Sequence, residues 1–180
     1  LEDYFSSMPS TQRKEHFFAQ LRHIMSCKEG DKYYLNATSD LLLEPDFLDR
    51  LKEETACPER LAIEVTDLHT MVQLDDMQSR SLRTGIAMLH LWGVEVWADD
   101  VCEDILPELL ASQIRFCGVK IDKHTFWSGR TEQTKFLHLT RQYKRVASKV
   151  LIEGIETAGD FALARASVAD YGQGYLWGMK

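Results

Sequence analysis

The sequence predicts an α/β fold built on a parallel sheet, and three features of the chain support this prediction. Apolar segments of strand length recur, segments with helical periodicity separate them, and no Gly-x-Gly-x-x-Gly follows any strand. Strands that alternate with helices form right-handed βαβ units, whose strands run parallel in one sheet. Without the glycine fingerprint, nothing supports a dinucleotide-binding fold. An open doubly wound sheet and a (β/α)8 barrel are both compatible with the pattern.

Six segments have the length and apolar character of strands. They cover residues 33–39, 60–67, 93–100, 116–122, 148–156 and 171–178. Six units are two fewer than a closed barrel needs, and such a barrel typically has about 250 residues. If the fold is a barrel, the 180 residues of this chain would be its larger, C-terminal part, as a single domain over residues 1–180.

Helical periodicity appears before the first strand and between the later ones. Apolar residues recur at helical spacing in residues 11–27 and 70–91, which predicts one buried face on each helix. The segment "TAGD", which begins at Thr157, has the Thr-x-x-Asp form of a capping box and predicts a helix start there.

The charge balance limits the classes of partner. The net charge of −7 makes bulk binding to nucleic acid or to an anionic membrane unfavourable, because neither surface attracts an acidic protein. A small phosphorylated ligand remains compatible, since a metal ion can supply positive charge locally. The sequence has no apolar run approaching the length of a membrane span. We therefore expect neither a nucleic-acid partner nor a membrane span in this chain.

The cysteine pattern predicts free thiols. Cys27, Cys57, Cys102 and Cys117 form no Cys-x-x-Cys pair and no zinc-finger spacing. Free thiols are typical of a reducing compartment, so we expect a cytoplasmic protein.

Polar residues stand at or near the ends of all six predicted strands. They are Asn36, Glu64, Asp99, Asp100, Lys120, Asp122, Glu153, Glu156 and Gln173. Each alone is typical of a solvated loop, but active sites of barrel enzymes lie at the carboxyl ends of the strands. Oxygen ligands of this kind suit Mg²⁺ or Mn²⁺, and two such ions about 4 Å apart clamp a phosphate diester and acidify a bridging water. Lys120 would then stabilise negative charge on the nucleophile or the phosphate.

These residues lie in motifs that resemble those of the EAL domain, the cyclic di-GMP phosphodiesterase module of bacterial signalling. The similar segments are "LNATSDLLLEPDFL", "LAIEVTD", "VWADD", "VKID", "IEGIET" and "YGQGYLWG". The resemblance runs over nearly the whole chain, from "YFSSM" to "GYLWG". It implies a TIM-like (β/α)8 barrel that lacks its first strands in this chain.

The resemblance also implies a role for each residue. The implied metal ligands are Asn36, Glu64, Asp99, Asp100 and Glu153. The implied catalytic residues are Lys120, Glu153 and Glu156, with Glu156 as a supporting carboxylate. Gln173 and Asp122 would contact substrate, and Asp67 would support the loop after Asp100.

The implied cofactors and partners follow from the same family. Two Mg²⁺ or Mn²⁺ ions would support turnover, and Ca²⁺ would fill the site and inhibit. The ligand would be cyclic di-GMP. The implied protein partners are a second copy of the chain in a homodimer, a fused upstream sensor domain or a regulatory protein.

Three departures from the family pattern stand out. The Glu-x-Leu motif, which carries a further metal-binding Glu, has no counterpart in this chain and would lie before residue 1. The Asp-Asp-Phe-Gly-x-Gly loop reads "DDVCED", with Cys102 and Asp104 in place of two glycines that would permit positive φ. Asp67 replaces a Glu and is one methylene shorter.

Two hypotheses about function follow. The first is a metal-dependent phosphodiesterase that converts cyclic di-GMP to linear pGpG in second-messenger signalling, with effects on biofilm and motility. The second is a degenerate EAL domain that senses cyclic di-GMP without cleaving it or binds a regulatory protein partner. Both expect the strand-end residues, from Asn36 to Gln173, to converge at one mouth.

Overall fold

The computed structural model describes residues 8–27 and 32–178, and in them the six predicted strands are confirmed. They are β1 (Tyr33–Ala37), β2 (Leu61–Val65), β3 (Glu95–Val101), β4 (Phe116–Ile121), β5 (Ala147–Ile152) and β6 (Tyr171–Gly172). The helices are α1 (Ser10–Ser26), α2 (Ser39–Leu42), α3 (Phe47–Glu54), α4 (Leu68–Met71), α5 (Asp76–Trp92), α6 (Leu106–Ser112), α7 (Lys123–Ser128), α8 (Gln133–Tyr143) and α9 (Ala158–Ala166). Single 3₁₀ turns lie at Pro58–Arg60 and Tyr175–Trp177. The predicted α/β class is therefore confirmed.

Contacts divide the chain into two compact units, residues 1–96 and 97–180. Each unit is built from parallel strands with intervening helices. The expectation of a single domain over residues 1–180 stays a prediction.

In the first unit, β1 and β2 pair in parallel, and helices bury aromatic and aliphatic side chains against each other. The rings of Phe17 and Phe18 on α1 lie 5.2 and 5.5 Å from the ring of Phe47 on α3. The predicted apolar face of α5 is buried through Leu82, Ile86 and Leu89. These packed aromatic rings and leucines form a hydrophobic core within this unit.

Capping residues set the limits of α5. Asp75 accepts hydrogen bonds from the backbone N–H groups of Met77 and Gln78, and the Gln78 side chain returns the bond to complete a capping box. At the other end Gly93 adopts φ 94°, the left-handed conformation that closes many helices. The two caps therefore fix the residues at which α5 begins and ends.

In the second unit, β3, β4, β5 and β6 are parallel neighbours in that order. The β4–β5 register pairs Lys120 with Leu151 and Ile121 with Ile152, so the carboxyl ends of these strands stand level. The capping box predicted at Thr157 is confirmed, with Asp160 as its second member. Level strand ends bring the residues that follow them to the same edge of the sheet.

Among the described residues, none of the helices combines the length and the apolar character needed to cross a bilayer. All four cysteines are free, as predicted.

Candidate active site

Four of the predicted site residues lie together in the second unit. The Nζ atom of Lys120 is 2.7 Å from Oδ1 of Asp99 and 3.1 Å from Oε1 of Glu153. The side-chain amide of Gln173 donates a hydrogen bond of 2.7 Å to the same Glu153 oxygen. These side chains come from β3, β4, and the segments after β5 and β6, so four consecutive parallel strands contribute to one cluster.

A β-bulge separates the two adjacent aspartates. The β3–β4 register shifts between Ala98 and Val101, and Asp100 has φ 49°. A bulge adds a residue to one strand and changes the direction of its side chains, and Asp tolerates the left-handed conformation better than most residues. Asp99 is buried while Asp100 is exposed, and the Asp100 N–H donates to Oδ1 of Asp99 at 3.1 Å. The sequence showed the pair but not the bulge.

The charges around Glu153 shift its protonation equilibrium. Burial raises the pKa of Glu153, and the negative charges of Asp99 and Asp100 raise it further, against the opposing effect of the Lys120 ammonium. The carboxylate thus stands in a half-buried, acidic environment in which a nearby cation is strongly favoured.

The segment between β5 and α9 is held by groups that sequence reasoning missed. Gly154 adopts φ 77°, and its carbonyl accepts a hydrogen bond of 2.9 Å from the indole N–H of Trp127. The guanidinium of Arg130 lies 3.6 Å from the Glu156 carboxylate. No sequence motif indicated Trp127 or Arg130, because both contacts join residues far apart in the chain. The supporting role predicted for Glu156 stays a prediction.

Asp122 forms the N-cap of α7. Its carboxylate accepts hydrogen bonds from the N–H groups of His124 and Thr125 at 2.7 and 3.1 Å, and from the Thr125 hydroxyl at 2.6 Å. These bonds orient the carboxylate towards the helix start and fix where α7 begins. A contact of Asp122 with substrate stays a prediction.

The first unit carries the other predicted ligands. Asn36 and Glu64 pair directly across β1 and β2, which places their side chains on the same face of the sheet. Asp67 follows β2 and accepts hydrogen bonds from the N–H and the hydroxyl of Ser39, at 2.6 and 2.7 Å. Within its own unit, the Asp67 carboxylate therefore anchors the start of α2, and support of the loop after Asp100 stays a prediction.

The oxygen atoms of the cluster are of the chemical type that binds hard divalent cations. Asp99, Asp100, Glu153 and the Gln173 amide present oxygen ligands, the type that Mg²⁺ and Mn²⁺ prefer. Among the described residues, no three His, Cys, Asp or Glu side chains are arranged to hold a metal ion. The Lys120 ammonium lies between Asp99 and Glu153, where it supplies the positive charge that these carboxylates require.

Comparisons with protein families and with solved structures both match this chain. The model described as "EAL domain" matches residues 8–180. No curated protein sequence matches the chain. Solved structures of EAL proteins resemble it at TM-scores that show a common fold, a TIM-like α/β barrel.

Three of these structures illustrate the likeness. An EAL domain protein from Listeria monocytogenes is 19% identical, with a TM-score of 0.71 over 94% of this chain and 69% of its own. BlrP1 of Klebsiella pneumoniae, in a calcium and cyclic di-GMP complex, is 17% identical, with a TM-score of 0.72 over 97% of this chain and 46% of its own. YkuI of Bacillus subtilis, in complex with substrate cyclic di-GMP and calcium, is 19% identical, with a TM-score of 0.63 over 97% and 45%. The chain thus spans about half the length of the last two.

Proposed function

The chain belongs to the EAL domain family, and from this premise we propose that it hydrolyses cyclic di-GMP to linear pGpG with the help of divalent metal ions. Such an activity would remove a bacterial second messenger and so act in the regulation of biofilm and motility. The site that would carry the reaction includes the cluster of Lys120 with Asp99, Glu153 and Gln173.

The observation that carries this proposal is the placement of Lys120 between two carboxylates. The side chains of Lys120, Asp99 and Glu153 are only 13%, 11% and 17% exposed. Removing charges from water is costly, and a partly buried ion pair seldom stabilises a fold more than apolar residues of the same volume would. Titratable groups held in this way at the ends of parallel strands are typical of functional sites.

Each residue of the cluster has a chemical task in the proposed reaction. Metal ions, when bound, would polarise the phosphate and acidify a water molecule. Asp99, Asp100 and Glu153 would hold the ions, and Gln173 orients Glu153 through its hydrogen bond. Lys120 would stabilise the negative charge that develops in the transition state, at the position that its ion pairs fix.

The proposed ligand and metals are supported by the relatives. BlrP1 was solved with calcium and cyclic di-GMP, and YkuI with calcium and cyclic di-GMP as substrate. We propose the same ligand for this chain, with Mg²⁺ or Mn²⁺ for turnover and Ca²⁺ as an inhibitory ion. The homodimer and the fused sensor domain stay predictions.

A non-catalytic sensor is the second candidate, and the loop after Asp100 favours it. Cys102 and Asp104 occupy positions where the family pattern has glycines. Side chains at such positions restrict the backbone conformations that a flexible, closely approaching loop can adopt. A sensor would bind cyclic di-GMP and release no product.

The experiment follows cyclic di-GMP and pGpG by chromatography in the full-length protein, with Mg²⁺, Mn²⁺ or Ca²⁺. A parallel titration measures nucleotide binding in Ca²⁺. We expect binding with all three ions, and pGpG only with Mg²⁺ or Mn²⁺. Nucleotide binding without pGpG formation in Mg²⁺ and Mn²⁺ would reject the hydrolase and support the sensor. The absence of nucleotide binding under every condition would reject both the hydrolase and the sensor and support a protein-binding role.

A further inference from the structure

The segment that carries Glu153 is fixed at both ends by side chains from outside it. This segment, residues 153–157, joins β5 to α9 and contains Glu153 and Glu156. Its first half is bound by Trp127 of α7. Its second half is bound by Asp160 of α9, which is itself held by Arg130.

The first contact is a hydrogen bond to the peptide next to Glu153. The indole N–H of Trp127 donates to the Gly154 carbonyl at 2.9 Å. Gly154 has φ 77°, and a Cβ there would lie 2.9 Å from Nε1 of Trp127 and 2.7 Å from Cβ of Lys123. The indole therefore lies directly against a backbone that only glycine accommodates without strain.

The second contact is a charged network around a buried carboxylate. Arg130 binds Asp160 through two hydrogen bonds, of 2.8 and 2.9 Å. Oδ2 of Asp160 also accepts the N–H groups of Glu156 and Thr157, at 3.1 and 3.0 Å. Burial raises the pKa of Asp160, but Arg130 and these hydrogen bonds outweigh burial and hold the pKa below its ordinary value. Asp160 is thus a charged acceptor that fixes the backbone after Glu153.

The same contacts connect Glu153 to the strand of Lys120. Lys120 lies in β4, and α7 starts three residues later, directly after its N-cap Asp122. Trp127 of this helix donates its hydrogen bond to the Gly154 carbonyl. The preceding residue, Glu153, lies with its Oε1 atom 3.1 Å from Nζ of Lys120. Lys120 and Glu153 are therefore linked twice: directly by their ion pair, and through α7 by the hydrogen bond from Trp127 to Gly154.

We propose that Trp127 and Arg130 are positioning residues, which hold the segment of Glu153 so that its carboxylate lies beside Lys120, where it would contribute to metal binding and catalysis. This inference rests on the proposed function for its catalytic part, whereas its metal-binding part is measured separately. Residues that orient a metal ligand through hydrogen bonds typically change metal affinity or activity by about 10–100-fold when altered.

The test uses Trp127→Phe in the full-length protein, because phenylalanine keeps an aromatic ring and removes only the N–H donor and part of the indole. Trp92→Phe is the matched control, since the Trp92 side chain is also half-buried and its indole makes no hydrogen bond within the described residues. Calorimetry measures Mn²⁺ affinity without nucleotide, and steady-state kinetics with cyclic di-GMP separate kcat from KM. Thermal unfolding reports the stability of each variant.

We expect Trp127→Phe to weaken Mn²⁺ binding by about tenfold or more and to lower kcat by a similar factor. KM and the melting temperature should stay close to those of Trp92→Phe, because substrate contacts and core packing are unchanged. Arg130→Lys keeps the positive charge but loses the paired donors of the guanidinium, so it should show a smaller loss in the same direction.

Equal Mn²⁺ affinity in Trp127→Phe and Trp92→Phe would overturn the inference, whatever the turnover. A loss of kcat that follows a loss of melting temperature would also overturn it, because the role would be structural. If the wild-type protein binds Mn²⁺ and forms no pGpG, the proposed hydrolysis fails while the affinity comparison still decides the positioning. A wild-type protein that binds no Mn²⁺ overturns both.

Discussion

At the scale of single residues, the contact between Gly118 and Trp97 shows how tightly the strands under the site are packed. The two residues pair across β3 and β4, and Trp97 is buried at 2% exposure. A Cβ added at Gly118 would lie 2.2 Å from the indole ring. The strand that carries the aspartate pair therefore has its position set by a residue without a side chain.

We predict that Gly118→Ala destabilises the protein by about 1–3 kcal/mol or more, because the buried indole has no free space into which to move. The free energy of unfolding by urea measures the effect. Gly159→Ala is the control, since a Cβ there would meet its nearest neighbour at an ordinary 3.6 Å. It should leave stability unchanged or raise it by less than about 1 kcal/mol. An unaffected Gly118→Ala would mean that the strands are less tightly packed than described.

The predicted metal ligand Glu64 offers a second test of a single residue. We expect Glu64→Gln to lose Mn²⁺ binding in calorimetry, because the amide keeps the shape of the side chain and removes the charge that attracts a hard cation. Glu59→Gln, an exposed acid in the turn before β2, should bind Mn²⁺ as the wild type does. An unchanged affinity in Glu64→Gln would place the metal elsewhere.

Single residues also show what the sequence could and could not predict about the site. The placement of Lys120, Glu153 and Gln173 together was predictable because each falls at a strand end within a recognisable motif, while their roles stay predictions. Trp127 and Arg130 were not, because their partners Gly154 and Asp160 lie 27 and 30 positions away. Local pattern carries no information about contacts of that separation. The bulge at Asp100 was hidden because the surrounding apolar alternation resembles that of a regular strand.

At the scale of secondary-structure elements, strand and helix identities followed from periodicity, whereas the boundaries did not. The segment 148–156 looked like one strand, but β5 ends at Ile152. The residues after it leave the strand conformation, because Gly154 takes a positive φ. The segment 171–178 likewise contains only the two-residue β6 followed by a 3₁₀ turn. Glu153 and Gln173 are the first residues after β5 and β6, so the strand ends place both of them.

The connection of β5 to β6 depends on an ionised carboxylate. Asp170 precedes β6 and accepts hydrogen bonds from the Val150 N–H and from Lys144, at 2.7 and 2.5 Å. Burial raises the pKa of Asp170, but the bonds from Lys144 and Val150 outweigh burial and hold its pKa below the ordinary value of 3.8. A carboxyl whose pKa is lower in the folded state stabilises the fold above its unfolded pKa.

We therefore predict an acid-dependent loss of stability that Asp170→Asn removes. The variant should be less stable than the wild type at neutral pH. The difference should shrink as the pH falls below 3.8 and through the lower pKa of the folded state. Urea unfolding at a series of pH values measures it. Asp49→Asn, whose carboxylate makes no hydrogen bond or ion pair within the described residues, should follow the wild-type curve. A constant difference between Asp170→Asn and wild type would contradict the prediction.

At the scale of the whole molecule, an acidic chain is combined with a proposed site for a phosphate diester and divalent metal ions. The net charge of −7 gives no general attraction for a phosphate diester. The proposed binding of cyclic di-GMP would therefore rely on local positive charge, which Lys120 and the proposed metal ions would supply. Lys120 is a positive charge that the chain itself supplies to the cluster, so the proposed hydrolysis depends on it.

The most direct measurement compares wild type and Lys120→Ala in the full-length protein. It combines turnover of cyclic di-GMP in Mn²⁺ with nucleotide binding in Ca²⁺. Lys120 would act mainly on charge that develops in the transition state, so kcat should fall by about 10²-fold or more while nucleotide affinity falls much less. Lys123→Ala, an exposed lysine of α7, should keep wild-type turnover. Equal turnover in wild type and Lys120→Ala, or an equal loss of binding and turnover, would contradict the assignment of Lys120 to the chemistry.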